Sequence, residues 1–305
     1  MKNNYTWIFL TLAIMSLLVL GATQTGCNQK AATTSFNTSA LSLSFVDNAP
    51  PSKINTGTTF QIYVRTDNTG SQPVDAGTAK FYLSGMGNNL RNLNQVMQNQ
   101  AHLSEKTAQQ EGGFETIQFA ETAESTLVIS NPFNFTLRAD ACYPYATSTQ
   151  ATICIGQVDG MCVLSGEKIT TGSNTNAPIQ VTSITEQTQG NRLYVSFLIE
   201  NKGSGQVYYP NFDCDKYFGT ISSERIKEEQ KKNQVDVFVD PGQEDLKCTL
   251  QNPNGGESEN SGLAVVGRKV TCTKIVGQQT YPTVMKIKLA YKYINGVSKQ
   301  LVIYP

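Results

Sequence analysis

The chain has 305 residues, of which a single one, His102, is histidine. That scarcity excludes His-Glu-x-x-His, and with no Cys-x-x-Cys among the seven cysteines it removes the usual zinc sites. His102 also sits in a Gln/Asn-rich stretch, a poor place to hold a catalytic base in one orientation. No Gly-x-Ser-x-Gly elbow occurs; Gly256-Glu257-Ser258-Glu259-Asn260 fails at its last position. Charge is sparse at 16% of residues, and 24 basic side chains balance 24 acidic ones. No basic surplus remains to hold a nucleic acid or an anionic membrane face. Asp213, Asp215, Asp236, Asp240, Glu244 and Asp245 supply carboxylates without the EF-hand order, since Gly219 arrives one residue late. The sequence therefore assigns no catalytic, metal-binding or cofactor-binding residue. A hydrolase built on paired carboxylates carries no local motif, so it stays open as the alternative class.

What is present begins at the N-terminus. Residues 1–26 combine a short, lysine-bearing head with the apolar run Trp7 to Ala22. The run is short for a membrane span of about 20 residues and reads as a signal peptide or N-terminal anchor. Thr25-Gly26-Cys27 resembles a lipoprotein processing site, with Gln24 where that motif prefers an apolar residue. Lipidation at Cys27, a retained anchor and plain cleavage near Ala22 all remain open. Each places the mature chain outside the cytoplasm, tethered, if at all, through its N-terminal end. Setting Cys27 aside leaves Cys142, Cys154, Cys162, Cys214, Cys248 and Cys272, an even set that reads as three disulfides in an exported protein. Cys248 and Cys272 make the best pair, because each lies in an expected strand flanking a polar loop. The other pairings stay open.

One stretch occurs twice. Phe60 to Ser71 alternates apolar and polar residues into Asn68-Thr69-Gly70-Ser71, and Leu193 to Ser204 does the same into Asn201-Lys202-Gly203-Ser204. Matching Asn68 to Asn201 places Phe60, Ile62 and Val64 on Leu193, Val195 and Phe197, with the same buried parity. Two copies suggest two sandwiches. The expected division is a tether over 27–40, a first sandwich over 41–164, a linker over 165–177 and a second sandwich over 178–305. Within the first, Leu90, Leu93 and Val96-Met97 have helical spacing inside a long polar loop. Strands are expected at Thr126 to Ile129 and Phe133 to Ala139, with one or two more between Cys142 and Ile155. Within the second, Ser222 to Lys232 predicts a helix capped by Ser222, anchored near Ile221 and Ile226, with Glu228 and Lys232 paired. One strand is expected over Leu263 to Ile275. Asn295-Gly296 predicts a hairpin that turns Lys286 to Tyr293 back into Lys299 to Tyr304.

Two N-glycosylation sequons begin at Asn37 and Asn134, and Asn134 falls on the outward parity of its strand. Tyr208-Tyr209, Tyr217-Phe218 and Tyr291/Tyr293 offer aromatic surface that ordinary strand packing accounts for better than sugar stacking does.

The strand running into Asn-x-Gly, with Gly57-Thr58 ahead of Phe60, resembles immunoglobulin-like modules of archaeal and bacterial cell-surface proteins, of the CARDB-like and S-layer-associated kinds. The second copy has Gly190-Asn191 in place of Gly-Thr. Cys142-Tyr143-Pro144-Tyr145 through Cys154 is similar to a segment of archaeal envelope proteins. The resemblance implies tandem all-β immunoglobulin-like sandwiches, to which the residues of Ser222 to Lys232 add one short surface helix in the second. It also implies a location at the cell surface, and the tandem sandwiches with no catalytic constellation point to a non-catalytic binding or structural role there, in adhesion, surface-layer or envelope assembly. The expected partners are the membrane, through the N-terminal segment or a lipid, and an envelope protein or glycan, with no nucleic acid. A secreted carboxylate-based hydrolase of glycan or peptide is the other reading.

Overall fold

Alternation of apolar and polar residues makes nearly every element of this chain a strand, and the fold class is all-β. The computed structural model describes residue 38 and residues 40–156, 162–170, 172–242, 245–252 and 255–305. The apolar segment 1–26, Cys27 and Asn37 lie outside the described residues. Among the described residues, no helix is long and apolar enough to cross a membrane.

The first half contributes β1 (Leu41–Phe45), β2 (Lys53–Asn55), β3 (Thr59–Asn68), β4 (Lys80–Ser84), β5 (Leu90–Arg91), β6 (Val96–Gln98), β7 (Phe114–Ser125) and β8 (Phe133–Ile155). The second opens with β9 (Ser165–Glu167), β10 (Ile179–Gln189), β11 (Arg192–Asn201) and β12 (Gln206–Tyr208), followed by α1 (Cys214–Phe218) and α2 (Ser222–Glu229). It closes with β13 (Gln234–Asp240), β14 (Lys247–Gln251), β15 (Glu257–Glu259), β16 (Ser261–Val265), β17 (Lys269–Ile275) and β18 (Tyr281–Tyr304). Both halves follow one order. β1-β3-β7-β5 is matched by β10-β11-β17-β14, and β6-β4-β8 is matched by β16-β13-β18.

β8 and β18 run antiparallel over their whole length, from Ile155↔Tyr281 to Phe133↔Ile303. Each begins in its own half and ends in the other. β8 pairs with β4 through residues 138–142 and then runs on beside β18. β18 pairs with β13 through residues 286–290 and ends against β2, in parallel, at Val302–Tyr304. Each half thus supplies a strand segment to its neighbour's sheet, and Asn37–Pro305 forms one compact unit. The expected linker over 165–177 is part of that unit. It contains β9, Thr175 N–H donates to Ser148 O (2.9 Å), and Asn176 N–H donates to Ser71 Oγ (2.9 Å).

The hairpin expected at Asn295-Gly296 does not form. β18 passes straight through, with Asn295 opposite Ala141 and Gly296 opposite Asp140. Asn295 Nδ2 donates to Leu41 O (2.6 Å), and a Cβ on Gly296 would lie 2.3 Å from Asp140 Oδ1. The glycine makes room for a side chain and does not serve a turn.

The repeated stretch behaves alike in both copies. Phe60, Ile62 and Val64 on β3, and Leu193, Val195 and Phe197 on β11, face one continuous core. Asn68 Oδ1 accepts from Gly70 N–H (3.1 Å) while its Nδ2 donates to Gln72 O (2.8 Å). Asn201 Oδ1 accepts from Gly203 N–H (3.0 Å) while its Nδ2 donates to Gly205 O (2.9 Å). A tyrosine closes each turn: Gln72 N–H donates to Tyr145 Oη (3.1 Å), and Gly205 N–H donates to Tyr293 Oη (2.7 Å). A Cβ on Gly70 would fall 2.0 Å from Tyr145 Oη, and one on Gly203 would fall 2.3 Å from Tyr293 Oη. Only glycine admits the hydroxyl. Tyr143, Tyr145, Tyr291 and Tyr293 pack together where β8 and β18 cross between halves.

Several local expectations change. Leu90 and Val96-Met97 lie in the short strands β5 and β6, with Leu93 between them, because pairing with β7 and β4 outweighs helical spacing. Thr126 to Ile129 leaves the sheet, and Val128 is fully exposed. The strand expected over Leu263 to Ile275 breaks into β16 and β17 at Gly267, whose φ is +84°. Ser222 is the first helical residue of α2 and makes no cap; Ile221 precedes it and, like Ile226, is exposed. The pairs on α2 are Glu228–Lys231 and Glu229–Lys232. Its anchor is the buried Glu228, which accepts from Asp213 N–H (2.7 Å).

Candidate binding groove

Along β13, Val235, Val237 and Val239 point into the core, so Phe238 points out. Its ring is 58% exposed. Phe238 lies opposite Lys288 of β18, which lies opposite Ser148 of β8; the next row is Asp240, Lys286 and Gln150. The segment 172–175 walls one side. It is held by Gln150 N–H donating to Ser173 O (3.0 Å), Ser148 N–H donating to Thr175 Oγ1 (3.0 Å) and Thr149 Oγ1 donating to Asn174 Oδ1 (2.7 Å). The result is an open groove of about 490 Å³. Neither Lys286 nor Lys288 has an ion-pair partner among the described residues, and Asp240 spends one carboxylate oxygen on Gly242 N–H (3.1 Å). The groove therefore offers a bare aromatic face, two unpaired ammonium groups and one carboxylate. That equipment suits binding by stacking and charge.

A second recess of about 290 Å³ lies where α1 covers the sheet, lined by Thr78, Lys80, Phe212, Asp213 and Lys292. Burial, and then the neighbouring Lys80 ammonium, hold Lys292 below the ordinary lysine range. Most of this face is already occupied. Cys142–Cys214 ties α1 to β8, and Phe218 stacks on Tyr82 with centroids 4.1 Å apart and planes at 16°. Tyr82 Oη donates to Asp215 Oδ1 (2.7 Å), and Lys80 pairs with the same carboxylate. These hydrogen bonds, from Lys80 first and Tyr82 second, hold Asp215 below the usual carboxylate range.

The six later cysteines form three disulfides: Cys142–Cys214, Cys154–Cys162 and Cys248–Cys272, the last being the pair expected from its flanking strands. Three disulfides in an all-β chain fit an oxidising, extracellular compartment. Asn134 is exposed on β8, opposite Val302. His102 is exposed, its Nδ1 2.9 Å from Asp75 Oδ1. The carboxylates noted in the sequence are scattered. Asp213 caps α1, Asp215 meets β4, Asp236 and Asp240 lie on β13, Asp245 pairs with Lys274 (3.5 Å), and Glu244 lies outside the described residues. Tyr208, Tyr291 and Tyr293 are buried, and Tyr217 and Phe218 pack on the small core beneath α1. Phe238 was not singled out by sequence reasoning. The signal was there in the outward parity of an aromatic between Asp236 and Asp240.

No family model matches the chain, and no curated protein does. Among solved structures, the secreted serine protease VesC from Vibrio cholerae is similar at 10% identity with a TM-score of 0.17, over 82% of this chain and 50% of that one. The chain thus spans about half the length of that protease. An allantoicase from Saccharomyces cerevisiae is similar at 8% identity with a TM-score of 0.13, over 78% of this chain and 77% of that one. Likeness at that level carries no conclusion about fold or activity.

Proposed function

We propose that the chain is an exported, membrane-tethered envelope protein, built as two immunoglobulin-like sandwiches, with a non-catalytic binding or structural role. Adhesion, surface-layer and envelope assembly are the roles this covers. The observation that carries the reading is the groove at Phe238, where an exposed ring and two unpaired lysines lie on a rigid sheet face. The disulfides support export, and the apolar N-terminal segment supports a tether. The alternative, a hydrolase of glycan or peptide, uses a pair of carboxylates about 5–10 Å apart. Among the described residues, the groove is lined by a single one, Asp240.

The test is to export the full chain from its parent cells or a secreting host, take its intact mass and mix it with isolated cell envelopes. The expected result is six oxidised cysteines, co-sedimentation with the envelopes, and no release of reducing ends or peptide amines. A cytoplasmic protein with six free thiols contradicts the reading. Release of reducing ends or amines replaces it with the hydrolase.

A further inference from the structure

The two halves place an aromatic ring at the same position of the same strand. Tyr82 on β4 lies opposite Asp140 of β8, and Phe238 on β13 lies opposite Lys288 of β18. The shift along the sequence that carries Tyr145 onto Tyr293 also carries Asp140 onto Lys288. What differs is the cover. Tyr82 is 5% exposed because Phe218 lies flat on it, while Asp215, one helical turn earlier, accepts a hydrogen bond from its hydroxyl and pairs with Lys80. Phe238 has no such cover among the described residues, and it is flanked by Lys286 and Lys288 without ion-pair partners.

We propose that the groove is a docking site for a segment of a partner protein that presents an aromatic ring and an acidic side chain about one helical turn apart. Asp215-Lys216-Tyr217-Phe218 supplies this pattern intramolecularly on the first half. The proposal rests on the binding role proposed above and names its ligand class. The ring of the partner stacks on Phe238, as Phe218 stacks on Tyr82, and its carboxylate meets Lys286 or Lys288. The protein's own insert cannot serve, since Cys142–Cys214 fixes α1 on the other half. A second copy carries the same tether. The occupant is therefore a different protein. Charge complementarity favours it over a neutral sugar, because the groove's two ammonium groups outnumber its one described carboxylate, Asp240, and a partner carboxylate balances the excess.

The experiment uses the full-length oxidised protein and a fluorescein-labelled synthetic peptide spanning residues 211–222 with Cys214→Ser, followed by anisotropy. The expected result is saturable binding that weakens about tenfold or more for the Phe238→Ala protein and for the Phe218→Ala peptide. Lys286→Gln with Lys288→Gln should weaken it severalfold and flatten its salt dependence. Because Phe238 is exposed, its variant should melt as the parent does, which separates lost contact from lost fold. Equal binding by the Phe238→Ala protein overturns the site, and so does an absence of peptide binding up to millimolar concentration. Binding of chitohexaose that depends on Phe238, with none of the peptide, overturns it in favour of a glycan. If envelopes still sediment the Phe238→Ala protein, the envelope role stands and the site alone falls.

Discussion

Asn68 and Asn201 make the same hydrogen bonds in the same turn, each closed by a tyrosine from the long strand beside it. Beyond those turns the halves are finished differently. The first has its outer sheet face covered by a helical insert that belongs, in sequence, to the second; the second keeps an aromatic ring bare at the equivalent place. The frame is what the halves share, and what lies on the frame is where they diverge. Because β8 and β18 each complete the neighbouring half, the frame is one object, with one main core running through both halves and a tyrosine cluster at its middle.

The comparison can be broken most forcefully at that middle. Tyr145→Ala and Tyr293→Ala each remove a buried ring and leave backbone donors unmet, and each should cost about 3–5 kcal/mol by chemical denaturation. A large loss from one and almost none from the other would end the equivalence. Next come the disulfides. In the loop-entropy estimate, removing Cys142–Cys214 by paired Cys→Ala substitution costs roughly 4 kcal/mol, Cys248–Cys272 roughly 3 and Cys154–Cys162 roughly 2. Melting of the three double variants should fall in that order, since the first closes the longest loop and ties the insert of one half to the sheet of the other.

Smaller effects sharpen the comparison between the turns. Asn68 is fully buried and donates to Leu103 O (3.1 Å) as well, whereas Asn201 is half-buried. Asn68→Ala should therefore cost about 2–3 kcal/mol and Asn201→Ala about 1, measured by the same denaturation. The smallest effect at neutral pH is titration of the cluster. Burial raises the hydroxyl pKa of Tyr143, Tyr145, Tyr291 and Tyr293, that of Tyr145 to about 12. Folded values above the unfolded one, about 10, mean that this stability is fully present below about pH 10 and is lost as pH rises through the folded values. Stability should be insensitive to these groups at pH 7–9 and fall beyond about pH 10, with their phenolate absorbance appearing only as the protein unfolds. Early phenolate absorbance from a folded protein would contradict their burial.

Much of the frame was legible because it is written locally. Period-two alternation marks β3 and β11, Asn-x-Gly marks their turns, and the strands around Cys248 and Cys272 bring those thiols together. The long strands were not legible. Asn295-Gly296 has the composition of a tight turn, and Phe133 to Ile155 was expected as two or more strands, yet β18 passes through the one and β8 spans the other unbroken, paired along their length. A ladder contributed by the opposite half decided both, and a reading of neighbours along the chain does not see it. In the insert, α2 was expected as a helix but α1 was not, and the anchor of α2 is the buried Glu228, which apolar periodicity cannot reveal. Phe238 was legible in parity alone. Its exposure depends on what covers the equivalent ring elsewhere.

The central claim is that two alike halves, joined by exchanged strands, unfold as one. Phe45 on β1 and Tyr194 on β11 are half-buried and report on separate halves. Trp7→Phe with either Phe45→Trp or Tyr194→Trp gives one fluorescent reporter per protein, to be followed through urea unfolding beside circular dichroism. Coincident midpoints and slopes for both reporters are the expected result. Two separated transitions, one for each half, would contradict it.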